Sequence, residues 1–311
     1  MATSARYHID HRTTYRYESA VSLSRQHLHL TPRDGAWQRC LEQCIVIDPE
    51  PTHCHSRVDH FGNPVTQFDI EAPHSRLVVR AQSTVEVRSH AMAQCDLRSS
   101  ASWEDGARAL AYGAAPVLLE ANRFLFESPY VRVKREFAAY AMPSFTPGRA
   151  LLDAAFDLMR RIHGEFEFDP EATTVATPVL KILEDKRGVC QDFAHLMLAC
   201  LRSLGLPARY VSGYLLTQPP PGQPRLIGAD ASHAWISLYC PNADGGTWID
   251  FDPTNNLLPD TQHITLAWGR DFGDVSPLRG VILGGDAHEL DVAVTVTPLE
   301  PAPSTDEGSA L

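Results

Sequence analysis

The chain has 311 residues, 44% apolar and 21% charged, enough for one large globular domain or two moderate ones with buried cores, which excludes disorder of the whole chain. Its 27 Lys and Arg stand against 38 Asp and Glu, a net charge of -11 that repels phosphate backbones and anionic lipid and so excludes nucleic acid as an expected partner. The opening MATSARYHIDHR lacks the apolar core and cleavage site of a secretory signal, and no run approaches the roughly 18 apolar residues of a membrane span, so the expected compartment is the cytoplasm, with no membrane partner.

From Tyr7 to about His90 the letters alternate at period two: Tyr7 and Ile9, then Thr13, Tyr15 and Tyr17, then Val21 and Leu23, then Leu28 and Leu30. TPRDG (31–35), DPEP (48–51) and FGNP (61–64) punctuate these runs with turn residues, and RLVVRAQSTVEVRSH (76–90) alternates again. The pattern predicts an antiparallel β-domain, a small sandwich or barrel. Within it His8, His11, His27 and His29 alternate in strands and are expected at the surface. Cys40, Cys44, His53, Cys54 and His55 crowd a short stretch, but the spacing is not that of a zinc site, and in a strand His53 and His55 face away from Cys54. The DHFGN turn (59–63) requires no chemistry.

After Ser100 the period becomes helical, in ASWEDGARALAYG and in GRALLDAAFDLMRRIHGEF (148–166), with Thr-Pro entering the second. TPVLKILEDKRG (177–188) predicts a shorter helix with Thr177 at the N-cap and Pro178 in its first turn. Phe193, Leu196, Met197, Cys200, Leu201 and Leu204 then mark a buried or strongly amphipathic helix over 190–204, stopped by Gly205. ARYVSGYLL, the loop QPPPGQPR (218–225), SHAWISLYC and TWIDFDPTN read as strands and connections of a second sheet, HELDVAVTVTP (288–298) as a last strand, and LEPAPSTDEGSAL as a disordered tail.

Cys190 opens the 190–204 helix directly after Gly188-Val189. There a thiolate meets the positive end of the helix dipole and unpaired backbone N–H groups, and Gly188 leaves room for a substrate backbone. The same position also suits a core thiol of the kind expected at Cys200. A four-residue PNAD hairpin loop would set Cys240 opposite Gly245 and His233 opposite Asp252. A two-residue Asp-Gly turn would shift the pairing by four, leaving both side chains on one face but out of reach. A histidine oriented by an acid and facing a helix-start thiol can deprotonate the cysteine and later protonate a leaving amine.

GVCQDFAHLMLACLRSLGLPARYVSGYL (188–215), ASHAWISLY (231–239) and WIDFDPTN (248–255), three motifs in order, resemble the core of the transglutaminase-like superfamily, a papain-like fold. The N-terminal stretch resembles the bacterial transglutaminase-like N-terminal region, and 270–298 the closing segment of that bacterial subfamily. The resemblance implies Cys190 as nucleophile, His233 as general base and acid, and Asp252 as the residue orienting His233. It implies Cys190 N–H as one oxyanion donor, with Tyr214 or Gln191 as candidates for the second. Asp192 is expected to favour the helix start, His195 to fall on another helix face, and Trp235 to wall the cleft or join the core.

The expected architecture is therefore α+β: a β-rich N-terminal domain (1–95) packed on a transglutaminase-like domain (96–298, core 150–260, closing segment 261–298), then a tail (299–311). The site should open where the Cys190 helix meets the His233 and Asp252 strands, beneath the QPPPGQP loop. The function implied is thiol-dependent acyl transfer at an amide bond through a Cys thioester. It would be a peptidase or amidase hydrolase, or a transglutaminase, acting on a protein or peptide amide with no cofactor and no metal; nothing suggests a calcium loop. A noncatalytic scaffold that keeps the fold is the competing reading.

Overall fold

The computed structural model of the protein describes residues 4–89, 96–110, 119–217, 232–242 and 245–299. Its N-terminal part is organised by one long strand, β1 (Ser4–Leu28), where the sequence pattern suggested several short ones. No glycine or proline lies between residues 4 and 28, so nothing in the backbone chemistry interrupts the ladder. β2 (Gln38–Asp48), β3 (His53–Val58), β4 (Pro64–Ile70) and β5 (His74–Arg88) follow, with the DPEP and FGNP turns between strands as expected. β5 pairs with the first half of β1 and β4 with its last residues, giving the order β2-β5-β1-β4-β3.

A 3₁₀ turn (Leu97–Ser99) leads to α1 (Trp103–Ala109), α2 (Leu119–Asn122), α3 (Arg135–Ala141) and α4 (Leu151–Glu165). The short strand β6 (Glu167–Phe168), α5 (Val179–Asp185), β7 (Arg187–Gly188) and α6 (Cys190–Ser203) complete the helical layer. α3 had no clear sequence signal, being about two turns between Pro129 and Pro143. At α5 the N-cap is Pro178 and makes no side-chain cap; the Thr177 hydroxyl instead accepts from the Thr174 N–H. Gly205, at φ 75°, ends α6 as expected.

β8 (Ala208–Leu215), β9 (Ser232–Asn242), β10 (Gly245–Phe251) and β11 (His263–Gly269) form an antiparallel sheet in the order β10-β9-β8-β11. α7 (Phe272–Val275) then leads to β12 (Leu278–Gly284) and β13 (His288–Leu299). These last two strands pair with β1, β12 along Val21–Leu28 and β13 along Arg6–Tyr17. The closing segment 261–298 is thus divided: β11 belongs to the second sheet, while β12 and β13 complete the first as a seven-stranded sheet. The N-terminal domain is neither a sandwich nor a barrel built from residues 1–90 alone, because β1 has a second edge that only the C-terminal strands satisfy. Of the expected tail, only Leu299 is described, within β13, and the QPPPGQPR loop lies outside the described residues.

One hydrophobic cluster runs from Tyr7, Ile9 and Val85 through Leu158, Met197 and Ile236 to Val296. Polar stitches join the two sheets across it. Asn63 accepts from the Trp268 N–H at 3.0 Å and donates to the Trp268 carbonyl at 2.9 Å, held by Asp59, which also accepts from the Phe61 and Asn63 N–H groups. The DHFGN turn is therefore a structural clamp. Arg33 and Arg209 both stack on Trp268, at 3.4 and 3.6 Å from the ring centre. Of the four histidines expected at the surface, His11 and His29 are buried: His11 bonds Tyr214 and Thr13, and His29 bonds the Ser276 carbonyl and Asp59. His11 faces Tyr214 of the second sheet and His29 the chain just after α7, contacts that an alternation count within one strand cannot see.

Candidate active site

The start of α6 is built by Asp192. Its Oδ2 accepts the Val189 N–H at 2.9 Å and the Thr173 hydroxyl at 2.6 Å, so the carboxylate folds back over the first turn and caps it. Burial nevertheless pushes its carboxyl upward, with the Thr173 and Val189 bonds pulling the other way. A Cβ added at Gly188 would lie 2.7 Å from Asp192 Oδ2 and 2.9 Å from its Cβ. The glycine makes room for this cap, and not, as the sequence reading held, for a substrate backbone. Cys190 follows as the first helical residue, half-buried, where the backbone N–H has no acceptor within the helix.

The β9–β10 pairing sets Asn242 opposite Gly245 and Ile236 opposite Phe251. This register falls midway between the two expected from sequence, so Asp252 is not directly opposite His233 but one step along the diagonal. Diagonal neighbours share a face and lie within reach of long side chains, and Asp252 is the residue just past the end of β10, in an isolated bridge with Leu257. His233 Nε2 donates to Asp252 Oδ2 at 2.7 Å. The expectation that only direct opposition could join them is corrected by this geometry.

Four more donors converge on Asp252. The Thr254 and Asn255 N–H groups reach Oδ1 at 3.0 and 3.1 Å, while Asn255 Nδ2 and His263 Nε2 reach Oδ2 at 2.8 and 3.1 Å. The carboxylate is fully buried. Burial opposes its charge, but the bonds from His233 and His263 prevail and hold its carboxyl well below the ordinary carboxylate range.

Nε2 is committed to Asp252, and the Cys190 side chain acts on the same ring. Burial disfavours the imidazolium; the bonds to Asp252 and Cys190 outweigh it and push His233 up to about 10. The structure thus brings together the three residues expected from the motifs, and the arrangement can hold a proton on His233 next to the Cys190 sulfur.

Trp235 is a core residue: fully buried, it donates from Nε1 to Asp250 Oδ2 at 3.0 Å and packs edge-on to the His263 ring at 5.2 Å. A Cβ at Gly213 would come within 2.5 Å of the Trp235 ring and 2.1 Å of the Ile264 carbonyl oxygen, so the glycine is what lets this indole lie across the strand. Tyr214 is engaged elsewhere, its hydroxyl 2.8 Å from His11 Nδ1; Gln191 is half-buried. His195, on a buried face of α6, is stacked on Tyr130 at 5.7 Å, and its Nε2 accepts the Phe272 N–H at 3.2 Å. Burial holds it down to about 3, with Arg202 adding to the effect.

Asn255 and His263 are the site residues that sequence reading missed. Asn255 lay inside the quoted WIDFDPTN run; His263, alone in the HITLAWG strand, carried no signal. His233, Asp252 and His263 form the one compact His/Cys/Asp/Glu group of the kind that can hold a metal among the described residues. The two histidine nitrogens lie at N–H to carboxylate hydrogen-bond distance from Asp252 Oδ2. Cys40 and Cys44 lie on β2 and His53, Cys54 and His55 on β3, at opposite ends of the strand order.

Residues 7–86 match the bacterial transglutaminase-like N-terminal region and residues 139–253 the transglutaminase-like superfamily. An uncharacterized protein of Mycobacterium tuberculosis is 39% identical over 298 residues, 95% of this chain and 93% of its own. A protein-glutamine gamma-glutamyltransferase of Pseudomonas aeruginosa is 29% identical over 103 residues, 30% of this chain and 15% of its own. Among solved structures, a cysteine-protease candidate from Cytophaga hutchinsonii superposes with a TM-score of 0.74 at 19% identity, over 96% of this chain and 92% of that one; at that identity the likeness is one of fold.

Proposed function

The chain belongs to the transglutaminase-like superfamily, and from that premise we propose that it is a thiol acyl-transfer enzyme that attacks an amide carbonyl of a protein or peptide through Cys190. The observation that carries this reading is the His233 imidazole, bonded to the buried Asp252 carboxylate at 2.7 Å, with the Cys190 side chain acting on the same ring. His233 takes the thiol proton, and the thiolate sulfur bonds the carbonyl carbon. The oxyanion so formed faces the N–H groups at the start of α6, the Cys190 N–H first among them. As the tetrahedral adduct collapses, the C–N bond breaks and the leaving nitrogen takes the proton from His233, leaving a thioester on Cys190. Asp252 holds the ring in the tautomer that keeps Nδ1 for this exchange.

Water resolving the thioester gives an amidase or peptidase, and an amine gives a transglutaminase. We take the hydrolytic outcome first and transfer to an amine second; the Pseudomonas aeruginosa relative, a protein-glutamine gamma-glutamyltransferase, supports the latter. The test is iodoacetamide alkylation across pH, read cysteine by cysteine, in the wild type and in His233→Ala. Cys190 should react far faster than Cys200 at pH 6–7 and lose that advantage without His233. Equal reactivity, or indifference to His233, would leave the fold as a scaffold. A peptide-amide panel with and without a primary amine then separates hydrolysis from transfer.

A further inference from the structure

Oδ2 of Asp252 accepts from three nitrogens, at 2.7, 2.8 and 3.1 Å, more donors than one carboxylate oxygen has lone pairs for. One of them, His263, comes from β11, on the opposite side of the sheet order from β10. Its ring is buried, its Nε2–H is directed at Asp252, and its Nδ1 has no hydrogen-bond partner among the described residues. A buried imidazole nitrogen without a partner is a cost. The ring is held there by the Trp235 edge contact and by the single bond to the carboxylate, so the only polar work open to it passes through Asp252.

We propose that His263 is a positioning residue that shares the charge of Asp252 Oδ2 with His233, so that the carboxylate orients His233 without holding its proton too tightly to be passed to the leaving nitrogen. The proposal rests on the acyl-transfer reading above. The groups acting most strongly on His233 are Asp252 and Cys190, and those on Asp252 are His233 and His263. Removing the His263 donor leaves the charge of Oδ2 to His233 and Asn255, and the imidazolium becomes the weaker acid.

The experiment compares the wild type with His263→Phe, which keeps a ring against Trp235 but no donor, His263→Leu as a second apolar variant, and His263→Gln, whose Nε2–H restores one. The readout is the pH dependence of Cys190 alkylation, whose upper step marks loss of the imidazolium proton. In the Phe and Leu variants that step should move up by about one pH unit, with Gln returning it towards the wild-type position. An upper step unmoved in whichever apolar variant folds, with reactivity lowered equally at every pH, overturns the proposal and leaves His263 a packing residue. A wild type in which Cys190 reacts no faster than Cys200 overturns the acyl-transfer reading and this proposal together.

Discussion

Two of the buried histidines, His233 at the proposed triad and His11 at the seam between the sheets, meet opposite fates. At the triad, His233 faces the Asp252 carboxylate and is pushed up to about 10. At the seam between the sheets, His11 faces the hydroxyls of Tyr214 and Thr13, and burial holds it down to about 4 against a small upward pull from Asp10. Burial disfavours the charged ring in both places. What separates them is the Asp252 carboxylate, held by five donors, together with the Cys190 side chain, so the partners and not the cavity leave one imidazole charged and the other a neutral strut.

Deleting the anion should break the contrast most severely. Asp252→Asn should lower turnover by about 10⁴-fold and carry His233 from above its ordinary value to below it, as NMR titration of the ring would record. The opposite change builds an anion where none exists: Thr13→Asp, beside His11 Nε2, should raise the His11 pKa by more than one unit, read by the same titration. A His11 that stays low would show that depth of burial, not the partner, sets the difference.

Stability against pH should show both signs. His11 and His195, depressed to about 4 and about 3, contribute stability that is whole above pH 6.5 and is lost as the pH falls through those values, because the unfolded chain takes up protons first. His233, raised to about 10, contributes stability that is whole below pH 6.5 and fades as the pH rises through 10. Chemical denaturation from pH 4 to 10 should therefore show the acid limb flattened in His11→Leu and the alkaline limb flattened in His233→Leu. The smallest effect is expected from Tyr214→Phe, which leaves His11 Nδ1 without its partner. It should cost about 1–3 kcal/mol of stability and leave Cys190 alkylation unchanged.

The proposed active site was more legible in the sequence than the scaffold around it. Cys190 could be placed at a helix start because Phe193, Leu196, Met197 and Cys200 repeat at helical spacing, and the resemblance then paired it with His233 and Asp252. The hairpin register was not legible, since PNADGG admits several loops and the observed pairing lies between the two considered. His263 was invisible because it acts from a strand with no motif and reaches Asp252 only once β11 is laid beside β8.

The sequence by itself determined the local facts: the helix beginning at Cys190 and stopped at Gly205 and the alternating strands of the first sheet, while the resemblance singled out Cys190, His233 and Asp252. Only the tertiary structure decided that β12 and β13 return to close the free edge of β1, that His11 and His29 are interior, and that Asp252 collects five donors. Periodicity records which face of an element is apolar, and local chemistry records where it must start or stop. Which distant element covers that face, and which anion lies next to a given ring, depends on contacts between residues as far apart as His11 and Tyr214, and no local pattern encodes them.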